Sequence, residues 1–223
     1  RWYRRRQRQM CIRDSPGGLV HEHGLAASQM ARIRDRDIPL IVCVDKVAAS
    51  GGYLMACVAA TVYAAPFAIL GSIGVLAQIP NFNRLLDSHG VDFEQITAGK
   101  HKRTVTMFGK NTDEDRAKLK EELEEVHVLF KDVVAKYRPN LDLEKIATGE
   151  HWYGTRALEL GLADELLTSD ELLSSRASDR DLYLVSYKIK QPLQKRLMGN
   201  VESAIDGAEA AGWRRKFEAR LPR

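Results

Sequence analysis

The sequence predicts an α/β protein with a mostly parallel sheet covered by helices. Short apolar runs alternate with longer helical patterns through residues 14–167, as parallel strands joined by helical crossovers require. Turns of small residues recur near the strand ends: Asp14-Ser15-Pro16-Gly17-Gly18, Val47-Ala48-Ala49-Ser50-Gly51-Gly52 and Gly71-Ser72-Ile73-Gly74. Turns at the ends of such strands can converge on one edge of a sheet, where α/β sites form.

Residues 1–13 carry six arginines and no acid, and fit nothing that follows. A strand should lead into Asp14, and only Met10, Cys11 and Ile12 could supply it. The segment is expected to be an irregular basic end, foreign or truncated, without function. After the 14–18 turn, Leu19 to Arg36 reads as a helix with Val20, Leu25, Met30 and Ile33 near one face. Pro39 breaks the pattern, and Leu40–Val44 is a buried strand. Ser50 then stands where a turn meets a helix covering Tyr53–Ala59.

Residues 61–65 read as a short strand, and 81–89 as a helix closed by Gly90. Val91–Thr97 reads as a strand leading to the polar loop Ala98–Thr104. Thr112, with Asp115 three residues on, caps a helix running to Tyr137; its apolar residues recur at three- and four-residue steps. Short helices follow at 142–147 and 155–160, the latter stopped by Gly161, then a strand at 162–167. Residues 168–180 are polar enough to cap a helix, and 182–189 reads as a strand. Residues 191–223 read as a basic amphipathic helical tail, packed on its own domain or meeting a partner subunit or membrane surface.

Hydrophobic residues make up 44% of the 223 and charged ones 29%, so a packed core is expected. The net charge of +4 is owed to the arginine-rich end; without it the chain is mildly acidic, which removes the case for nucleic acid. No stretch approaches the roughly 18 apolar residues of a membrane span, and no apolar run follows the N-terminal charges as a signal peptide requires. Cys11, Cys43 and Cys57 form no CxxC pair; Cys43 and Cys57 read as small core hydrophobes.

Ser50 has two readings on its own stretch. It is an N-cap in an ordinary small-residue turn, or a nucleophile displayed beside unpaired helix N–H groups. The 14–18 and 71–74 turns and the lysine-bearing loop Ala98-Gly99-Lys100-His101-Lys102 add what acyl transfer needs: oxyanion donors and a base. Taken together, the DSPGG turn, VDKVAASGGYLMACVA, APFAILGSIGVLAQIPNF, TAGKHKRT and TGEHWYGTRALELGLADEL resemble the signal peptide peptidase A family of serine proteases, above all its SohB branch. The resemblance covers about residues 14–190 and rests on motif order and spacing together.

The resemblance implies a crotonase- and Clp-protease-like fold of repeated ββα units with a helical C-terminal extension. It implies a serine endopeptidase with Ser50 as nucleophile, Lys102 as general base and Ser72 holding the lysine. Oxyanion donors fall on the backbone N–H of Gly17 or Gly18 and of Gly51. It implies no metal or cofactor, peptide substrates that are hydrophobic or membrane-associated, and a homo-oligomeric ring sharing each site between subunits. It also implies a membrane anchor in the full-length protein and a catalytic domain on the periplasmic side of the bacterial inner membrane. A lysine base must be neutral, so its usual pKa of about 10.4 has to fall through burial.

Other assignments compete. Lys46 and Lys100 are alternative bases, read as a strand-end residue and a surface charge. His101 lacks an acid at supporting spacing. His21 and His23, two residues apart on a helix, face different ways and read as surface residues rather than metal ligands. Asp45 and Asp164 read as turn or cap residues. An acyl-CoA enzyme on the crotonase fold and a non-catalytic assembly module are the alternative functions.

Overall fold

A computed structural model describes residues 9–12 and 14–185; the tail at 191–223 and the end of the strand expected at 182–189 lie outside them. Two compact units divide the chain at Arg180 and Asp181. The first contains β1 (Gln9–Ile12), α1 (Val20–Arg34), β2 (Leu40–Val44), β3 (Val47–Ala49), α2 (Gly51–Ala56), β4 (Thr61–Ala64), β5 (Ile69–Gly71) and α3 (Asn83–Ser88). It continues through α4 (Asp113–Tyr137), α5 (Leu143–Ile146), β6 (His151–Tyr153), α6 (Gly154–Glu159), β7 (Glu165–Leu166) and α7 (Ser169–Ala177). In the second unit, residues 181–185 have no regular secondary structure, so the strand expected from 182 is not formed there.

The strands make two sheets where periodicity predicts one. The first is parallel throughout, in the order β1-β2-β4-β7. The second has the order β3-β5-β6, with β3 and β5 parallel and β6 antiparallel. Ser15 extends it by a parallel bridge to Ala48. The chain therefore winds: β1, the Ser15 bridge, α1; then β2, β3, α2; then β4, β5 and the later helices. Each pass lays one strand in each sheet beside the pass before. β1 falls inside the end expected to be irregular and pairs with β2 in register Gln9↔Leu40 to Ile12↔Cys43.

Burial explains the sequence of β2. All five of its residues are buried, as a parallel strand covered on both faces requires. Each large side chain sealed there stabilises the fold by about 1.5–3 kcal/mol. α2 is buried along its whole length, so it has no polar face to read. α1 buries Ala27 and Met30, while Leu25 and Val20, expected on the inner face, are exposed. Small residues let it lie close to α2. Cys43 and Cys57 are buried, and burial pushes both thiols up to about 12.

α4 begins with the expected capping box: Thr112 Oγ1 accepts the Asp115 N–H at 3.1 Å, and Asp115 Oδ2 accepts the Thr112 N–H at 2.8 Å. The helix buries Phe130 and Val134. At its end Arg138 grips Asp164 through Nη1 and Nη2 at 2.8 and 2.9 Å. Asp164 also accepts the Val62 N–H, which fixes β7 beside β4. Asp45 accepts from Ser169 at the start of α7. Both acids thus hold turns and caps.

Residues 91–97, expected as a strand, form none, and every one of them is exposed. Phe93 is used otherwise: its ring packs on Phe108 at 5.8 Å, and Phe108 packs on Phe82 at 6.0 Å. Asn81 Nδ2 donates to the Thr106 and Gly109 carbonyls, and Asn83 Nδ2 to that of Phe108. These contacts fold residues 81–109 into a loop with its own small cluster.

Candidate active site

Three parallel elements of the second sheet deliver their carboxyl ends to one edge: Ser15, β3 and β5. The residues leaving that edge are the 16–18 turn, Ser50 and Ser72. The register Ala49↔Gly71 makes Ser50 and Ser72 neighbours in chain position.

Ser50 joins β3 to α2 with φ 51° and ψ −122°. A non-glycine residue in that region costs about 1–3 kcal/mol and needs surroundings that enforce it. Its N–H donates to the Gly71 carbonyl at 2.8 Å, and its carbonyl accepts the Leu54 N–H at 3.0 Å. Ser50 stands at the N-cap position of α2, but its side chain makes no capping hydrogen bond, so the hydroxyl is not spent on the helix. β3, which the sequence reading missed, is what points this residue out of the sheet edge.

The glycines around Ser50 are there for space. A Cβ at Gly17 would lie 2.8 Å from the Cβ of Ser50, and Gly17 holds φ at 99°. A Cβ at Gly52 would lie 2.2 Å from the Ser15 carbonyl oxygen. A Cβ at Gly51 would lie 2.5 Å from Cγ of His23. The 14–18 turn therefore meets the Ser-Gly-Gly junction backbone to backbone, and α1 reaches it through the His23 ring.

The amides at this edge differ. The Gly17 N–H donates to Ser15 Oγ at 3.3 Å. Among the described residues the Gly18 and Gly51 N–H groups have no protein acceptor. Ser72 also has positive φ, 50°, and donates its N–H to the Glu150 carbonyl at 2.6 Å. Its neighbour Gly71 gives way to the ring of Trp152.

His23, expected on the surface, is half-buried against this turn. Its Nδ1 lies 3.0 Å from the Leu19 carbonyl and its Nε2 3.3 Å from Ser15 Oγ. The signal was available. A helix starting immediately after a turn leans its first side chains back over that turn. His21 is exposed, as expected.

Lys102 is not joined to this group within the chain. It sits in an exposed turn, its N–H donating to the Gly99 carbonyl at 3.1 Å. Among the described residues its amine has no hydrogen bond or ion pair, and none links it to Ser50 or Ser72. Lys100 pairs with Glu114 at 2.9 Å on the surface, and Lys46 and His101 are exposed.

The fold and the site define an α/β protein built round a serine elbow, a strained strand-to-helix turn at the carboxyl edge of parallel strands. Residues 32–183 match the sequence model of a family described as Peptidase family S49. The chain belongs to that family, and the matched residues include Ser50, Ser72 and Lys102. "Probable protease SohB" of Haemophilus influenzae is 53% identical over 194 residues, 86% of this chain and 55% of that protein. "Probable protease SohB" of Buchnera aphidicola from Acyrthosiphon pisum is 51% identical over 188 residues, 84% of this chain and 56% of that protein. A more distant relative, "Putative signal peptide peptidase SppA" of Enterococcus faecium, is 31% identical over 181 residues, 78% of this chain and 52% of that protein. The chain thus spans about half the length of the curated relatives it matches.

Proposed function

We propose that this chain carries the catalytic machinery of a serine endopeptidase that uses a Ser50–Lys102 dyad on hydrophobic or membrane-associated peptides. The observation that carries the reading is the elbow. Ser50 is held in a strained conformation, its side chain makes no capping bond, and the nearby Gly18 and Gly51 amides have no acceptor among the described residues. Ser50 Oγ attacks the peptide carbonyl carbon and gives its proton to neutral Lys102. The carbonyl oxygen, now an anion, accepts from Gly18 and Gly51. The Gly17 N–H is already engaged by Ser15, so Gly18 is the better donor of the two. Lys102 returns the proton to the leaving amine, and water then frees the acyl group from Ser50. Ser72 orients the lysine without adding a charge.

The exposure of Lys102 supports a reading in which it serves the site of a neighbouring copy in a homo-oligomeric ring. Its loop also displays Leu85, Val91 and Ile96 to solvent, apolar side chains that a neighbouring copy would cover. The ββα winding supports a crotonase- or Clp-protease-like fold. By family resemblance, the full-length protein is anchored in the bacterial inner membrane with this domain on the periplasmic side. Among the described residues no helix is long and apolar enough to cross a membrane.

A fluorophosphonate probe should label the wild type, and Ser50→Ala and Lys102→Ala should each lose about 10⁴-fold in peptidase rate. The rate of the wild type should climb from acid to alkaline pH as the lysine becomes neutral. Mixing the two inactive variants should restore activity through mixed rings. Undiminished peptidase activity in Lys102→Ala would refute the dyad. A monomer without activity would favour a non-catalytic assembly module.

A further inference from the structure

We infer that His23 is a positioning residue for the oxyanion turn, a role that rests on the peptidase reading above. The Leu19 carbonyl can only accept, so at 3.0 Å it fixes the proton of neutral His23 on Nδ1. Nε2 is then an acceptor, and the Ser15 hydroxyl donates to it at 3.3 Å. The same hydroxyl accepts the Gly17 N–H at 3.3 Å. A chain of hydrogen bonds thus runs from the oxyanion turn through Ser15 to the first turn of α1.

The ring also acts by volume. It fills the space above Gly51, where a Cβ would come within 2.5 Å of Cγ, and it borders Gly18, where a Cβ would lie 2.9 Å from Cε1. Among the described residues, the amides of Gly18 and Gly51 have no protein acceptor. One imidazole therefore sets the separation of the two donors from both sides. Donors held at a fixed spacing act on the transition state far more than on the bound substrate, because the charge they meet exists only there. Among the described residues the hydrogen bonds of His23 go to Leu19 and Ser15 and none to Ser50, so its part is to place the groups that act.

The test uses the full-length protein with a peptide substrate and a peptide aldehyde inhibitor, whose hemiacetal oxygen occupies the oxyanion position. His23→Ala should lower kcat about 10- to 100-fold with KM changed less than about 3-fold. Aldehyde affinity should fall by the same factor as kcat. His23→Gln, which keeps a donor and an acceptor, should recover part of both. Ser15→Ala should lower kcat too, and the double variant should be no worse than His23→Ala, as groups acting in one chain require. His23→Ala with wild-type kcat and aldehyde affinity would overturn the inference while leaving the dyad intact. Loss in His23→Ala as complete as in Ser50→Ala, with Lys102→Ala active, would make His23 the base and overturn both. A wild type that is never labelled at Ser50 would overturn the peptidase reading itself.

Discussion

At Ser50 backbone meets backbone with no room for a Cβ; at Lys102 a Cβ on the nearby glycine would meet nothing. Gly52 leaves 2.2 Å between its missing Cβ and the Ser15 carbonyl, whereas Gly99 has nothing within 4 Å. The serine edge packs against the 14–18 turn and the His23 ring of α1. The lysine loop is held by the Asn81 and Asn83 side chains and three phenylalanine rings, with residues 91–103 all exposed. On the proposed reading, the nucleophile and oxyanion donors are assembled by the chain itself, and the base is displayed for use by another copy. On that reading, close packing falls where catalytic geometry must be held, and the open loop is where a second copy would complete the site.

The largest expected effect comes from filling the tight side. Gly52→Ala should cost about 3 kcal/mol, because the clash is with a backbone carbonyl that cannot rotate away. Gly99→Ala should cost only about 1 kcal/mol, the strain of its φ of 99°. For a chain of this size those losses are about 6–12 °C and 2–4 °C in melting temperature. Equal losses would show that the two regions are equally packed.

Relieving the strained serine should work in the opposite direction. Ser50→Gly removes the side chain that makes φ 51° unfavourable, and should raise the melting temperature by about 2–4 °C while abolishing fluorophosphonate labelling. No gain in thermal stability would mean that the elbow stores no strain.

The smallest effect belongs to the helix caps, which lie in neither region. Hydrogen bonds from the side chain and backbone of Thr112 hold the Asp115 carboxyl below its usual range, and those from the backbone and side chain of Thr168 do the same for Glu171. A carboxyl depressed on folding contributes stability that is present above its unfolded pKa of about 4 and is lost as pH falls through the folded value. Urea midpoints should therefore fall modestly below about pH 4. In Asp115→Asn plus Glu171→Gln that part of the acid sensitivity should vanish; an unchanged acid limb would assign it elsewhere.

Features with a long period or a local chemical rule were legible in the sequence. β2 stands at Leu40–Val44 as read, and α4 runs from its Thr112 cap to Tyr137, because an apolar run and a capping box act within a few residues. β3, β5 and β6 were not legible. Each has three residues, too few to display alternation, and Val47–Ala49 carries the small side chains of a turn. Val91 and Phe93 alternate like a strand, yet Phe93 satisfies its apolar surface on Phe108. At the site, the small-residue turns announced the edge on which Ser50 and Ser72 stand. His23 was legible only through its place in the first turn of a helix that follows the 14–18 turn, because the glycine backbone and the Ser15 hydroxyl it meets form no polar spacing pattern.

The winding of the two sheets also orders events during synthesis. Each pass sets its strands beside the preceding pass, so the backbone partners of Ser50 all lie between the Ser15 turn and Gly71. They are translated before Lys102. On the dyad reading, the elbow is encoded ahead of its base, and a new chain stays harmless to its neighbours because the base works only once another finished copy is present.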